Sequence, residues 1–245
     1  MLLTRTVVLF PSTTVGPMSC PLLMEDRDRA RELANTYTSS GKSTEWFEVL
    51  YAEGAEEQAD IPWADFEPNP NLVEWLEEAS LSPSEASALK VGCGLGDDVE
   101  ALADRGFDVT AFDISPTAIE WCRDRFPDSD ATYLVSDLFS APEDWRRAFD
   151  FVLESYTLQV LPQSMRCRAI PIIADFVAPD GTLLVICRGR DPGDPEGELP
   201  WPLTKETVRQ FEEHELVLVG LEDYYDQESP PVRRFRATFR RSVDV

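Results

Sequence analysis

The sequence predicts an α/β protein built on a doubly wound, mostly parallel sheet, and two observations predict it. From Ala86 onward, short apolar runs suited to buried strands alternate with helix-forming segments, the pattern of a sheet covered on both faces. The first of these runs, Ala88 to Val91, enters Gly92-Cys93-Gly94-Leu95-Gly96-Asp97-Asp98, three alternate glycines followed by Val99-Glu100-Ala101-Leu102-Ala103. A strand feeding such a turn and a fresh helix sets bare backbone N–H groups where any side chain would obstruct a ligand.

Each element can be justified in turn. Residues 25 to 40 read as a helix of mixed charge, and Thr44 to Tyr51 as a second with Trp46, Phe47 and Leu50 along one side. The stretch Ile61 to Pro70 breaks regular structure repeatedly before a third helix, Asn71 to Ala79, carrying Leu72, Val73, Trp75 and Leu76. Together these form an N-terminal helical cap over residues 25–85, with Trp75 read as core.

In the sheet, Phe107 to Asp113 is the second strand, and Ser115-Pro116 marks an N-cap with a first-turn proline for a helix through Arg125. Thr132 to Val135 and Phe149 to Leu153 are the third and fourth strands. The helix Ser164 to Val177 contains Pro171, which is expected to kink or restart it. Thr182 to Cys187 is the fifth strand. The Gly/Pro-rich loop Arg188 to Pro202 follows, and Glu215 to Leu221 with Val232 to Phe239 closes a seven-stranded sheet as an antiparallel C-terminal hairpin.

A chain of 245 residues suffices for one sizeable core, so residues 25–245 are expected to form a single domain, with 86–245 as the α/β core. Residues 1–24 are read as a disordered or misassigned extension. Their apolar run Met1 to Pro11 is too short to span a bilayer and lacks an A-x-A cleavage site, and Met18 and Met24 are alternative starts.

With 22 basic and 46 acidic residues the net charge is −24, which opposes nucleic-acid backbones and anionic membrane surfaces. Neither nucleic acid nor membrane is expected as a partner. The lysines are only Lys42, Lys90 and Lys205, so the acidic surplus reads either as a salt-adapted surface or as an ordinary acidic protein of a GC-rich genome. The cysteines Cys20, Cys93, Cys122, Cys167 and Cys187 are odd in number and dispersed, so they do not form a disulfide framework. A single histidine, His214, and no C-x-x-C pair leave no metal site to expect. A cytoplasmic monomer acting on a small molecule fits this composition.

The ligand of the glycine loop follows from what surrounds it. Asp113 ends the second strand about 20 positions beyond the first glycines, the offset at which a carboxylate holds ribose hydroxyls. Gly92, Cys93, Gly94, Gly96, Asp113 and Ile114 thus read as a site for an adenosine-bearing ligand. A dinucleotide loop wants a small residue at its third conserved place, but here that place is Asp97, with Asp98 behind it. Two carboxylates suit the helix dipole, repel a pyrophosphate, and favour a cationic ligand such as S-adenosylmethionine. The plain alternative is a capped glycine turn with no ligand.

Further along the same edge, Asp137 and Leu138 follow the third strand where an adenine would lie. Glu154 and Tyr156 follow the fourth strand, where a carboxylate faces the cofactor cation and an aromatic ring shapes the transfer channel. Arg188 and Trp201, in the loop after the fifth strand, are candidates for substrate contact. An acidic strand end, an exposed acid and a surface loop are the corresponding plain readings.

The segments Val91 to Asp98 and Phe107 to Ile119 resemble class I S-adenosylmethionine-dependent methyltransferases of the thiopurine methyltransferase-like group, which includes halide and thiol methyltransferases. The resemblance continues through Tyr156 to Pro162, Val177 to Ile186, Ile61-Pro62-Trp63 and Pro68-Asn69-Pro70, covering roughly residues 25 to 241. It implies a Rossmann-like fold and S-adenosylmethionine as cofactor, and it places Trp46 and Trp63 in the walls of the cofactor and substrate cavity. Lys90 departs from the group's pattern, which often has an acidic residue there.

Methyl transfer from a sulfonium mainly requires alignment of nucleophile, carbon and leaving sulfur. The sequence offers no evident general base, since His214 lies among Glu212, Glu213 and Glu215, away from the ligand edge. No catalytic residue is assigned, and the acceptor is expected to be sulfur or another soft nucleophile: a thiol, a thiopurine-like compound or a halide. A non-catalytic sensor of S-adenosylmethionine or S-adenosylhomocysteine is the alternative. A nicotinamide-dependent oxidoreductase is disfavoured by Asp97.

Overall fold

The structure is a computed structural model that describes residues 21–57, 61–79 and 86–242. Most of the expected N-terminal extension lies outside the described residues. Helix α1 spans Pro21–Ser39, α2 Glu45–Glu57 and α3 Pro70–Glu78, so the first begins earlier and the second runs longer than their sequence patterns suggest.

Seven strands form one sheet: β1 Ser87–Val91, β2 Asp108–Asp113, β3 Thr132–Val135, β4 Phe149–Ser155, β5 Val177–Arg188, β6 Leu216–Tyr225 and β7 Arg233–Arg241. Their order is β3-β2-β1-β4-β5-β7-β6. Strands β1 to β5 run parallel to one another, and β7 slips between β5 and β6, antiparallel to both. Strand order reverses beside β1, which opens a crevice at the carboxyl ends of β1 and β4, the usual ligand position of open α/β sheets.

Helices α4 (Asp97–Ala103), α5 (Pro116–Arg125), α6 (Gln163–Phe176) and α7 (Lys205–Arg209) complete the layers. On one face Ile170, Ile173, Val208 and Phe211 pack against Val152, Leu183 and Phe239. On the other, Leu72, Trp75, Val99, Leu102 and Ile119 cover Phe151, Leu153 and Leu184. Trp75 stacks on Phe151 with centroids 5.4 Å apart, and its indole N–H donates to Thr238 Oγ1 at 2.9 Å.

A third cluster joins cap to core. Ala30, Leu33, Trp46, Leu50, Tyr51 and Ile61 enclose Leu95 of the glycine loop and Ala118 of α5. Glu48 of α2 latches this joint by accepting from Ser115 Oγ at 2.6 Å and from Thr117 Oγ1 at 2.7 Å. An acid at the first turn of α5 also complements the helix dipole.

Two local features differ from expectation. Helix α6 runs unbroken through Pro171. Proline removes the bond to the carbonyl four residues back, that of Cys167, which is exposed, so water can satisfy it. Strand β5 begins at Val177 rather than Thr182, because an irregularity between Phe149 and Phe151 lets Val177 pair with Phe149 before the regular ladder starts.

Ser115 caps α5 as its sequence implies, accepting from the Ala118 N–H. Cys93, Cys122, Cys167 and Cys187 are free thiols. Among the described residues, no helix is long and apolar enough to cross a membrane, and no cluster of metal-ligating side chains occurs.

Candidate active site

The turn after β1 is conformationally special: Gly92, Gly94 and Gly96 have φ of 59°, 55° and 91°. That left-handed region strains residues with side chains. A Cβ on Gly96 would fall 2.8 Å from Tyr133 Oη, whereas one on Gly94 would meet only Tyr51 Oη at 3.3 Å. Protein packing therefore demands glycine at 96, while at 94 the demand comes from backbone conformation and from whatever approaches the loop.

Asp113 lies across the crevice from that loop. Its Oδ2 accepts from the Gly94 N–H and its Oδ1 from the Ser115 N–H, both at 3.0 Å. Burial pushes its pKa up, and those two N–H groups with the Lys90 charge pull it back. Ile114 beside it is half-buried, and the Cys93 side chain turns into the core under the loop. Asp137 accepts from the Phe139 N–H at 2.9 Å, and Leu138 is buried among core residues including Phe112 and Trp145.

The cap contributes aromatic rings above the loop. Trp46 is only 1 % exposed, stacks on Phe47 at 3.9 Å and donates its indole N–H to the Ser43 carbonyl at 3.0 Å. Trp63 is half-buried and donates to Tyr51 Oη at 2.8 Å. The structure thus groups both tryptophans with Leu95, but only Trp63 keeps appreciable exposed surface.

Asp97 and Asp98 are both tied to neighbouring elements, where the sequence suggests a pair standing free to face a cation. Asp97 is held by Arg125 through two hydrogen bonds of 2.7 and 2.9 Å, and Asp98 accepts from the Asn69 N–H at 2.8 Å. Both acids instead fasten α4 to its neighbours, Asp97 to α5 and Asp98 to the cap.

Among the described residues, the buried carboxylate with an unpartnered oxygen is that of Glu154. It is fully buried at the end of β4, beside Val91, with Oε1 accepting from the Leu158 N–H at 2.8 Å and Oε2 without a hydrogen-bond partner. Burial pushes its pKa up to about 7, against the pull of the Leu158 N–H and the charge of Lys90. The Lys90 ammonium, also buried, donates to the carbonyls of Val91 and Gly92 at 3.0 and 2.9 Å. A cation therefore sits where the related group often has an acid, and the acid sits one strand over.

This has a measurable consequence in the ligand-free protein. The unfolded chain releases the Glu154 proton near 4.5 and the folded chain holds it until about 7, so between these values the folded state binds more protons and stability falls as pH rises. At about 1.36 kcal/mol per unit the loss approaches about 3 kcal/mol. Urea denaturation at pH 5 and pH 8 should show the slope, and Glu154→Gln should flatten it. An identical slope in that variant assigns the titration elsewhere.

Tyr156, next to the edge, is held at φ 65°. A left-handed aromatic residue is an outlier that surrounding structure must enforce. Its phenol accepts from Asn71 Nδ2 at 3.3 Å, and burial pushes its pKa up to about 12, so it stays protonated near neutrality. Asn71 is in turn bonded by Tyr224, and Asn69 Nδ2 donates to Ser155 Oγ at 3.1 Å. Asn71, Tyr224 and Arg234 bear on this edge without having stood out in the sequence. The Pro-Asn-Pro-Asn run was the available signal for the first, and none marked the other two.

Arg188 ends β5 at the same edge, and the Trp201 N–H donates to the Gln159 carbonyl at 2.7 Å. His214 borders a different cleft of about 630 Å³, also lined by Phe139, Arg146 and Asp175, toward the amino ends of β4 and β5.

Sheet order, glycine turn and crevice define a Rossmann-like α/β domain. Residues 88–181 match the family model described as a methyltransferase domain. Over 80 residues the chain is 38% identical to malonyl-[acyl-carrier protein] O-methyltransferase of Acetivibrio thermocellus, a match covering 32% of this chain and 28% of that enzyme. Over 180 residues it is 27% identical to thiocyanate methyltransferase 1 of Brassica oleracea, covering 71% and 74%.

Its fold resembles that of N-methyltransferase NodS from Bradyrhizobium japonicum in complex with S-adenosyl-L-homocysteine. The TM-score is 0.62 at 22% identity, over 78% of this chain and 97% of that one. Residues 88–181 of the chain therefore carry a methyltransferase domain.

Proposed function

We propose that the protein transfers the methyl group of S-adenosylmethionine to a small-molecule acceptor that is a soft nucleophile: a thiol, a thiopurine-like compound, or a halide or pseudohalide anion. The observation that carries the cofactor half of this reading is the Gly94 N–H to Asp113 bond, which sets the carboxylate beside the glycine turn. In this reading the Asp113 carboxylate takes the ribose hydroxyls and Ile114 flanks them. Asp137 and Leu138 border the adenine, and Trp63, with Trp46 beneath it, closes the cap side. Residues 25–245 then work as one unit, in a cytoplasmic monomer.

The bound cofactor supplies a methyl group already activated by its sulfonium, so the chain has only to bind, orient and exclude water. The unpartnered Oε2 of Glu154 suits a cationic ligand, because an opposite charge nearby favours the ionised carboxylate. On the acceptor side, Tyr156 stays protonated and Asn71 is a neutral amide, so neither removes a proton near neutral pH. An acceptor that needs no deprotonation, or arrives deprotonated, fits that edge best. The similarity to a thiocyanate methyltransferase, with 71% of this chain covered, points the same way.

Calorimetric titration with S-adenosylmethionine, S-adenosylhomocysteine and a nicotinamide dinucleotide tests the cofactor half. Methylation assays on thiols, thiocyanate and halides against alcohols and amines test the acceptor half. Selective binding of the first two ligands with turnover of the soft acceptors is the expected result. Binding of both without turnover of any acceptor would make the protein a sensor, and preference for the dinucleotide would overturn the reading.

A further inference from the structure

The acceptor edge carries a charge with which no described residue pairs directly. Arg188 is the last residue of β5, and its register partner on β7 is Arg234. Directly opposed residues of an antiparallel pair lie on one face of the sheet, where like charges destabilise. Arg234 is compensated. Its Nε donates to Asp226 at 2.6 Å, a second nitrogen donates to Glu228, and its guanidinium lies 5.2 Å from the centre of the Tyr156 ring.

Arg188 has no such direct partner. It is half-buried, and among the described residues its guanidinium makes no hydrogen bond, ion pair or ring contact; the Glu228 carboxylate, already bonded to Arg234, acts on it only through space. Burial, with the charges of Arg234 and of Arg27 on α1, holds its pKa below the ordinary guanidinium value. In a chain with 46 acidic residues against 22 basic ones, carboxylates are not scarce. A half-buried guanidinium set against a second one is costly unless something completes it.

The backbone that carries this group is pinned. The Arg188 N–H donates to Gln159 Oε1 at 2.8 Å, and the Arg188 carbonyl accepts from the Leu203 N–H at 2.8 Å. Gln159, only 3 % exposed, also holds Trp201 through its carbonyl. Tyr156 reaches the same strand, its N–H donating to the Ile186 carbonyl at 3.1 Å. One buried glutamine thus pins the backbone of both Arg188 and Trp201 at the mouth of the transfer edge.

We propose that Arg188 docks an anionic acceptor: the molecule receiving the methyl group presents a negative charge to this guanidinium, as the nucleophile itself or as a carboxylate carried beside it. The inference rests on the methyl-transfer reading above and narrows its acceptor. In the transfer, the acceptor's electron pair forms the new bond to the methyl carbon as the carbon–sulfonium bond breaks, and the bonding pair stays on the cofactor sulfur. A nucleophile that is itself the anion, such as thiocyanate or a thiolate, leaves no proton to be removed, and a thiol carried beside a carboxylate gives its proton to solvent before it reacts. The local positive pair also offsets the repulsion that a chain of net charge −24 exerts on anions.

The test compares thiocyanate, 3-mercaptopropionate and 2-mercaptoethanol in the wild type, Arg188→Gln and Arg188→Lys, by initial rates at saturating S-adenosylmethionine. Calorimetry of the two anions, with and without S-adenosylhomocysteine, runs beside it. The expected result is that Arg188→Gln raises the KM of an anionic acceptor relative to that of 2-mercaptoethanol by about tenfold or more, the scale of one charge-assisted hydrogen bond, and that Arg188→Lys recovers part of it. A ratio shift for thiocyanate alone marks the nucleophile as the docked anion, and one for 3-mercaptopropionate alone marks the carboxylate. Equal effects on all three acceptors, or no binding of either anion to the wild type, would overturn the proposal. If both anions bind in an Arg188-dependent way but nothing is methylated, the anion site stands and the methyl-transfer reading falls. The S-adenosylhomocysteine affinity of each variant shows whether it is folded, and Arg188→Lys keeps the test open if Arg188→Gln is not.

Discussion

Replacing Asp113 with Ala is expected to weaken S-adenosylmethionine binding by about two to four orders of magnitude, the effect of losing two charge-assisted hydrogen bonds of about 1.5–3 kcal/mol each. The carboxylate is suited to hold a ribose diol because its position is fixed from both sides. Gly94 and Ser115 each donate a backbone N–H to one of its oxygens at 3.0 Å, and each oxygen retains further acceptor capacity. The same bonds make Asp113 a structural tie between the glycine turn and α5, so the variant should also lose stability. Each N–H left buried without an acceptor costs about 1–3 kcal/mol. Calorimetric Kd values and thermal unfolding separate the two roles. A variant that melts earlier but, well below its Tm, binds the cofactor as tightly as the wild type would reduce Asp113 to the structural tie alone.

What could be read from the chain before folding was whatever local chemistry decides. The glycine turn, the Asp113 offset, the Ser115 cap and strands β1 to β4 each follow from short-range rules of conformation, capping and apolar run length, and all appear in the structure within a few residues. Partners brought together by topology could not be read. Asp97 and Asp98 looked like free carboxylates because Arg125 and Asn69 lie 28 and 29 positions away, and only packing of α4 against α5 and the cap brings them within reach.

The opposition of Arg188 and Arg234 depends on β7 inserting antiparallel between β5 and β6, a register that no pattern inside either strand specifies. Lys90 reads as an anomaly in an apolar strand; its two carbonyl acceptors are its own chain neighbours, but its proximity to the Glu154 carboxylate emerges only once β1 and β4 are paired. In each case the residue was visible and its partner was not. A partner across the sheet is set by strand order, which the summed burial of the whole core decides.

Gly94→Val is expected to abolish cofactor binding while leaving a cooperative unfolding transition. The three glycines of the turn differ in what they exclude. A Cβ at Gly92 would meet Thr157 Oγ1 at 2.5 Å and one at Gly96 would meet Tyr133 Oη at 2.8 Å, so substitution there disturbs the protein itself. At Gly94 the nearest atom is Tyr51 Oη at 3.3 Å, a tight contact that a small shift relieves. The strain of φ 55° remains, about 1–2 kcal/mol for an ordinary residue and more for a β-branched one.

Such strain is a fraction of a typical domain stability, so the fold should survive it. A ligand on the Gly94 N–H and the Asp113 carboxylate would share its space with the valine methyls, and binding should not survive that. Gly94→Ala provides the graded case, with similar backbone strain and a single methyl, and should bind weakly rather than not at all. Calorimetry on both variants, with thermal unfolding as the control, decides it. Wild-type affinity in Gly94→Val would mean that the ligand lies elsewhere, and that the left-handed glycine serves only the turn between β1 and α4.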